Sequence, residues 1–248
     1  MGAPIYIRAF KTDSHVGALK PSIVPGNYST LEVWMRTSEG TYELFQTYIS
    51  RAADPKKQAG CLTPEGFYEA EAPLLNPNSS YKLSLDIGFP NQYDLSHNLH
   101  AQLLVVNGKK EYRTISGSIA CYNLSQPQVE EIYSIMDESL NQNETLSVNH
   151  HTQPYVIPFH SFSMRMDGSV PKKVNSQETS EVSALLQNAS GLSASMREGY
   201  KRFQTKRIPP AVSVVGSGTG SNYHFTDAPV SVVRRRCAGN PHGLPKRK

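Results

Sequence analysis

Cysteine and long apolar runs are scarce in this sequence. Cysteine occurs three times in 248 residues, at 61, 121 and 237, and neither a C-x-x-C motif nor a paired Cys/His spacing is present. The chain is therefore not a disulfide-stabilised miniprotein, and no zinc site is indicated. The apolar runs, such as Leu103-Leu104-Val105-Val106, are only a few residues long, which excludes a membrane-spanning helix. A chain of this length forms one or two domains and can bury a core without staples.

The N-terminus has no targeting pattern. Residues 1–6 show no cationic stretch followed by an apolar run, and Tyr6 occupies the position where a myristoylation signal has serine or threonine. Two expectations follow, a cytoplasmic protein or a chain whose export signal has been removed.

Basic residues are concentrated at the other end. Residues 228–248 carry six of the 25 lysines and arginines and no acid, so the rest of the chain has 19 basic against 21 acidic residues. The net charge of +4 therefore belongs to the tail. We expect 216–248 to be a Gly/Ser linker and a disordered basic tail, because no helix-forming segment follows the glycine string and a P-loop lysine is absent. The basic clusters lack interleaved aromatics, so nucleic-acid binding is not expected.

Short β-rich segments fill the first half of the chain. Strands are predicted at 5–10, 31–35, 42–46, 66–70, 81–87 and 101–106, with a hairpin turn at Ser38-Glu39-Gly40 and a later strand at 154–159. Residues 12–30 are typical of a loop inserted between the first two strands. Short strands at this spacing favour a sandwich or a barrel.

One helix is strongly indicated from about 126 to 140. Ser125 and Gln128 fit a capping box at its start. Its apolar residues repeat at helical spacing: Val129, Ile132, Tyr133, Met136 and Leu140. A weaker helix is predicted at 176–187. The fold class is therefore predicted to be mixed α+β and mostly β.

Cys121 is the candidate nucleophile. It lies in Ser116-Gly117-Ser118-Ile119-Ala120-Cys121-Tyr122, a run of small residues between a strand region and the predicted helix. A thiol just ahead of a helix N-terminus meets unpaired N–H groups and a positive dipole end, which stabilise the thiolate. Neighbouring N–H groups can also bind an oxyanion. A buried, inert cysteine is the alternative that position alone leaves open.

A nucleophilic cysteine usually needs a histidine base that is distant in sequence. His97 and His100 precede the strand predicted at 101–106, at the same end of the sheet as Cys121, whereas His150 and His151 lie in a polar loop beyond the helix. A solvated surface role is the alternative for each histidine.

Five segments of the chain resemble the YafK-type branch of the bacterial L,D-transpeptidases, in the family's order and spacing. The similarity covers about residues 4–160, with a weaker echo at 199–200 and 209–215. The segments are Leu31-Glu32-Val33-Trp34, Thr63-Pro64-Glu65-Gly66-Phe67-Tyr68, Leu75-Asn76-Pro77-Asn78-Ser79, Ile87-Gly88-Phe89-Pro90-Asn91-Gln92-Tyr93-Asp94 and Glu130-Glu131-Ile132-Tyr133.

The resemblance implies a YkuD-like L,D-transpeptidase β-sandwich or barrel with a helix after the nucleophile. It implies a catalytic domain at 1–160, a C-terminal extension packed on it at 161–215, and the linker and tail at 216–248. In this family a cysteine attacks the carbonyl at the diaminopimelate of a peptidoglycan stem peptide, and an amine or water resolves the thioester. The implied partners are stem peptides and, for some members, a wall-linked lipoprotein. The implied location is the periplasm or cell envelope, with no cofactor and no metal.

The family's site motif is His-Gly, a short spacer, then Ser-x-Gly-Cys and an aromatic residue. This chain keeps Ser118, Cys121 and Tyr122. Ala120 replaces the glycine, which alters the backbone freedom beside the nucleophile.

The family's base histidine is missing, so the His-Gly motif is degenerate. With an insertion in the spacer, Asn107 occupies the histidine position, and without gaps Arg113 does; neither side chain can accept a proton. His97, within Asp94-Leu95-Ser96-His97-Asn98, matches a histidine of the family's Asp-Arg-Ala-His-Gly stretch and is the candidate substitute base.

The resemblance thus assigns three sets of residues. The catalytic positions are Cys121, His97 and Asn107. The oxyanion and site loop contains Gly117, Ser118 and Ala120. The substrate-binding residues are Asn91, Tyr93, Asp94 and Arg113. Two functions fit: a peptidoglycan-modifying cysteine acyltransferase or amidase, and a catalytically silent relative that binds peptidoglycan or a partner.

Overall fold

The computed structural model describes residues 3–13, 28–51, 63–71, 75–79, 83–98, 105–109, 121–141, 156–167 and 191–227. Within these ranges the chain is mixed α+β and mostly β, which confirms the predicted fold class, and its strands form open sheets and not a closed barrel. The strands are β1 (Ile5–Thr12), β2 (Ser29–Arg36), β3 (Tyr42–Ser50), β4 (Gly66–Ala70), β5 (Leu75–Asn76), β6 (Ser84–Asp86), β7 (Val105–Lys109), β8 (Tyr122–Ser125), β9 (Ile157–Met164), β10 (Ala211–Val215) and β11 (Asn222–Thr226). The helices are α1 (Gln92–Ser96), α2 (Gln126–Asn141) and α3 (Leu192–Lys206).

A five-stranded sheet, in the order β3-β2-β1-β9-β4, forms the centre of the fold. β1 is parallel to β9, and the other pairs are antiparallel. β9 lies between β1 and β4, so residue 160, where a domain boundary is expected, lies inside a central strand.

Alternation along β1 gives this sheet two buried faces. On the first face, Ile5, Ile7 and Ala9 belong to the largest core cluster, together with apolar residues of β2, β4, β6, β8, β9 and α2. On the second face, Tyr6 and Phe10 pack with residues of α3 and the β10–β11 hairpin. The central sheet is therefore covered on both sides.

The second face also buries charge. The Arg8 guanidinium is fully buried, 4.6 Å from the Tyr200 ring centroid and 5.0 Å from that of Phe203, and its Nη1 lies 3.7 Å from Glu32 Oε2. Arg165 Nη2 is 2.7 Å from Glu32 Oε1 and 2.8 Å from Asp13 Oδ2. The buried charges are thus paired with opposite charges or packed on aromatic rings, and these interactions offset the cost of their desolvation.

A four-stranded sheet, in the order β5-β6-β7-β8, joins the central sheet through β8. Arg51, the residue after β3, forms an antiparallel bridge with Asn123 in the middle of β8. β8 then leads directly into α2, whose start is fixed by Gln128: its Oε1 accepts hydrogen bonds from the backbone and hydroxyl of Ser125. The predicted helix at 126–140 is confirmed, and of the expected capping box the hydrogen bond from the Ser125 N–H to the Gln128 side chain is present.

The glycine string at 216–221, the first part of the linker and tail expected at 216–248, lies between two paired strands. β10 and β11 pair from Ala211↔Thr226 to Val215↔Asn222, so the glycine string is their hairpin connection. Gly216 has φ +98°, and a Cβ there would lie 2.9 Å from the Gly220 carbonyl oxygen, so glycine serves a tight turn and not a flexible tether.

The other predicted strands occur with shifted ends, and α1 and α3 were not predicted. The helix expected at 176–187 and the tail at 228–248 lie outside the described residues, as does most of the loop expected at 12–30. No helix in the described part of the chain combines the length and apolar character needed to cross a membrane.

Gly199→Ala is expected to lower the free energy of unfolding by about 1–3 kcal/mol, although alanine is the better helix former. A Cβ at this position of α3 would lie 2.6 Å from Phe67 Cζ and 3.1 Å from Phe225 Cε1. Urea denaturation checks the change, with Lys201→Ala, at an exposed position of the same helix, as the control. A stabilised Gly199→Ala variant would show that α3 does not need this close approach.

Candidate active site

Cys121 is half-buried and immediately precedes β8. The four residues of β8 separate it from α2. Four extended residues span about 13 Å, whereas the field of a helix terminus falls off within about one turn. A strand therefore lies between the thiol and the helix, so Cys121 is not placed directly at the N-terminus of α2.

β8 is held on both sides. Parallel pairing with β7 sets Asn107 beside Asn123, and on the other side Asn123 exchanges two backbone hydrogen bonds with Arg51, at N–O distances of 2.9 and 3.0 Å. The Asn107 backbone thus lies on the strand next to β8, opposite a residue two positions after Cys121.

Tyr122 ties the strand of the candidate nucleophile to the central sheet. Its buried hydroxyl lies 2.7 Å from Ser161 Oγ, and Ser161 Oγ donates to the Pro64 carbonyl oxygen at 2.6 Å. Burial raises the pKa of the Tyr122 phenol, so it stays protonated and can donate to Ser161. The side chain next to Cys121 is thereby fixed by a hydrogen-bond chain that ends just before β4.

Asn91 and Asp94 fasten α1 to the edge of the central sheet. Asn91 Oδ1 accepts from the Asp94 backbone N–H at 3.1 Å, and Asp94 Oδ2 accepts from the Asn91 N–H at 2.9 Å, which completes a capping box. Asn91 Nδ2 also donates to the Phe67 carbonyl and to the Tyr223 hydroxyl, both at 2.9 Å. The contacts observed for these two predicted substrate-binding residues are internal to the fold.

The Asp94 carboxyl is fully buried. Burial raises its pKa to about 6, and this rise outweighs the opposing effect of the hydrogen bond from the Asn91 N–H. Asp94 therefore changes charge close to neutral pH.

His97 lies on the C-terminal side of α1. Its ring stacks on Tyr93 at a centroid distance of 4.1 Å, and Tyr93 stacks in turn on Tyr223 at 4.6 Å. Nδ1 is 2.9 Å from the Tyr93 carbonyl oxygen, and Nε2 is 3.1 Å from that of Thr219. Carbonyl oxygens only accept, so both contacts are satisfied only when both ring nitrogens carry protons. In this arrangement the ring works as a clamp between α1 and the hairpin turn.

Two further histidines lie in the described ranges. His160 is buried on the second face beside Tyr6, and burial, reinforced by the Arg8 charge, lowers its pKa to about 3. His224 is exposed on β11. Cys121, in contrast, adjoins Tyr122 of the first-face core.

The remaining predicted site residues, Gly117, Ser118, Ala120 and Arg113, lie outside the described residues, as does His100. Sequence reasoning missed Ser161, because a serine in a strand carries no sign of its partner across the sheet. Among the residues that the structure describes, no group of three or more His, Cys, Asp or Glu side chains is arranged to hold a metal ion.

Comparison with known proteins finds relatives along the whole chain. The protein named Putative L,D-transpeptidase YafK, from Escherichia coli strain K12, is 27% identical over 255 aligned positions that cover 100% of this chain and 84% of the relative. The protein of the same name from Escherichia coli O157:H7 gives the same values. No protein-family model matches. The solved structure of Bdellovibrio bacteriovorus Bd1075 covers 90% of this chain and 83% of its own, with 13% identity and a TM-score of 0.43.

Ser161→Ala is expected to destabilise the protein more than Tyr122→Phe does. Tyr122→Phe removes one hydrogen bond, at a cost of about 1 kcal/mol, whereas Ser161→Ala leaves both the Tyr122 hydroxyl and the Pro64 carbonyl without this partner and costs about 2–3 kcal/mol. Urea denaturation measures both variants. Equal costs would contradict the central position of Ser161 in the chain of hydrogen bonds.

Asp94→Asn is expected to remove a pH dependence of stability. The raised pKa means that the folded protein binds this proton more tightly than the unfolded chain does, so wild type loses about 2 kcal/mol between pH 4 and pH 7 through this group alone. The variant lacks that loss. Unfolding free energies at both pH values test this, and the difference between wild type and variant cancels His160, whose lowered pKa acts in the opposite direction. A difference that is constant with pH would contradict the raised pKa.

Proposed function

We propose that the protein is a cysteine acyltransferase or amidase acting on peptidoglycan stem peptides. The whole-chain similarity to the YafK L,D-transpeptidase relatives supports this proposal. Cys121 carries this proposal. It is half-buried at the start of a strand that is paired on both sides, so the thiol has a fixed backbone and partial access to solvent.

In the proposed reaction the Cys121 thiolate attacks the stem-peptide carbonyl at diaminopimelate. The carbon–nitrogen bond breaks, the leaving amine takes a proton, and a thioester to Cys121 remains. An amine then gives transfer and water gives hydrolysis. We assign the oxyanion to backbone N–H groups of the loop containing Gly117, Ser118 and Ala120.

The substrate contacts and the location are part of the same proposal. Asn91, Tyr93, Asp94 and Arg113 are proposed as the substrate-binding residues. Tyr93 and Asp94 are buried, so they act by setting the shape of the groove wall through their internal contacts. A periplasmic or envelope location follows from the substrate, and a wall-linked lipoprotein is the proposed second substrate.

A catalytically silent relative that binds peptidoglycan or a partner is the second candidate, and His97 favours it. The His97 ring nitrogens contact the carbonyls of Tyr93 and Thr219. The family's histidine position holds Asn107 or Arg113, depending on the alignment, and neither side chain can accept a proton. General-base catalysis contributes about 10²- to 10⁴-fold, so an enzyme without that base would be slow but measurable.

Mass spectrometry of muropeptides separates the two candidates. Wild-type protein and Cys121→Ala are incubated with tetrapeptide, crosslinked and lipoprotein-bearing stems, and Cys61→Ala and Cys237→Ala are the matched controls. We expect a product and a protein-bound thioester mass that disappear only in Cys121→Ala. Binding to sacculi without any product from wild type would contradict the enzyme and support the silent relative.

A further inference from the structure

Arg51 and Asn123 share one face with Cys121. Arg51 and Asn123 are directly opposed in an antiparallel bridge, and opposed residues of such a pair project their side chains to the same face. Cys121 directly precedes β8 and comes two residues before Asn123, so we infer from the alternation of side chains along the strand that it lies on that face as well. Tyr122, between them, points the other way into the first-face core.

Both neighbours of the thiol have buried donors that lack an acceptor within the described part of the chain. Asn123 is 1% exposed, and its Nδ2 has no hydrogen-bond partner there. Arg51 Nε is equally buried and equally unpaired. Each such donor costs about 1–3 kcal/mol if it stays unsatisfied, so the pair favours an acceptor.

The Arg51 guanidinium is held in place by Tyr28. Its Nη2 donates to the Tyr28 hydroxyl at 2.9 Å, and the guanidinium carbon lies 4.5 Å from the centroid of the Tyr28 ring. A guanidinium fixed on an aromatic ring loses little freedom when it binds a planar anion. The missing acceptor therefore has the chemistry of a carboxylate.

We propose that Arg51 and Asn123 form a carboxylate-binding subsite beside Cys121, which holds a carboxylate of the acyl donor next to the thiol. The proposal rests on the proposed function only for the identity of that donor, a stem peptide. The subsite itself is a property of the two side chains and can be tested without peptidoglycan.

The test compares alkylation of Cys121 by iodoacetate and by iodoacetamide. In both reactions the thiolate sulfur forms a bond to the reagent's methylene carbon and iodide leaves, so the reagents differ mainly in the carboxylate. Peptide mass spectrometry reads the adduct at Cys121, and urea-unfolded protein gives the intrinsic ratio of the two rates. We expect the ratio of the iodoacetate rate to the iodoacetamide rate to be higher in folded wild type than in unfolded protein. In Arg51→Gln this ratio should fall by about tenfold.

Three variants make the result specific. Arg51→Lys keeps the charge without the planar fork and should lose less than Arg51→Gln. Asn123→Asp adds an anion to the subsite and should lose at least as much. Arg197→Gln removes the same charge from an exposed position of α3 and should leave the preference unchanged.

A competition in wild type does not depend on any variant folding. N-acetyl-D-alanine should slow the iodoacetate reaction, whereas its methyl ester should not. Any of three results would overturn the subsite. They are an unchanged reagent preference in folded Arg51→Gln, equal effects of the acid and its ester, and a Cys121 that reacts with neither reagent. If these tests confirm the subsite but the protein processes no stem peptide, the proposed enzyme activity is contradicted and the carboxylate subsite is not.

Discussion

The backbone bridge between Arg51 and Asn123 joins the two sheets at the strand that follows the candidate nucleophile. Without it, β8 would be the edge of a small four-stranded sheet, and an edge strand exposes unpaired N–H and C=O groups. With it, β8 is hydrogen-bonded from both sides, and Tyr122 is anchored to Ser161 across the core. Cys121 therefore begins a strand whose backbone and neighbouring side chain are both fixed.

The two buried faces of the central sheet differ in chemical character. The first face of the central sheet is an apolar core closed by β8 and α2. The second face contains the charged network of Arg8, Glu32 and Arg165, covered by α3 and the β10–β11 hairpin. Burying opposite charges together gives this face geometric specificity at little gain in stability. The C-terminal part of the chain is thus integral to the central sheet.

This division bears on the chemistry. His97, the substitute base that the resemblance suggested, stacks among the aromatic residues that pack against the second face, where its nitrogens connect α1 to the hairpin turn. The strand that follows the candidate nucleophile is bridged at Asn123 by Arg51, and neither side chain can act as a base. The described part of the site is therefore better equipped to hold an anion than to remove a proton.

The sequence by itself determined the elements whose signals are local. Apolar residues at helical spacing and the Ser125–Gln128 contact defined α2, and a turn of Ser38 to Gly40 defined the β2–β3 hairpin. The small residues beside Cys121 made it the candidate nucleophile. Only the tertiary structure decided the contacts between distant segments: Arg51 with Asn123, Tyr122 with Ser161, and His97 with Thr219. The glycine string shows the reason. Its composition is equally typical of a linker and of a tight turn, and what made it a turn is the pairing of β10 with β11, an interaction that no local pattern encodes.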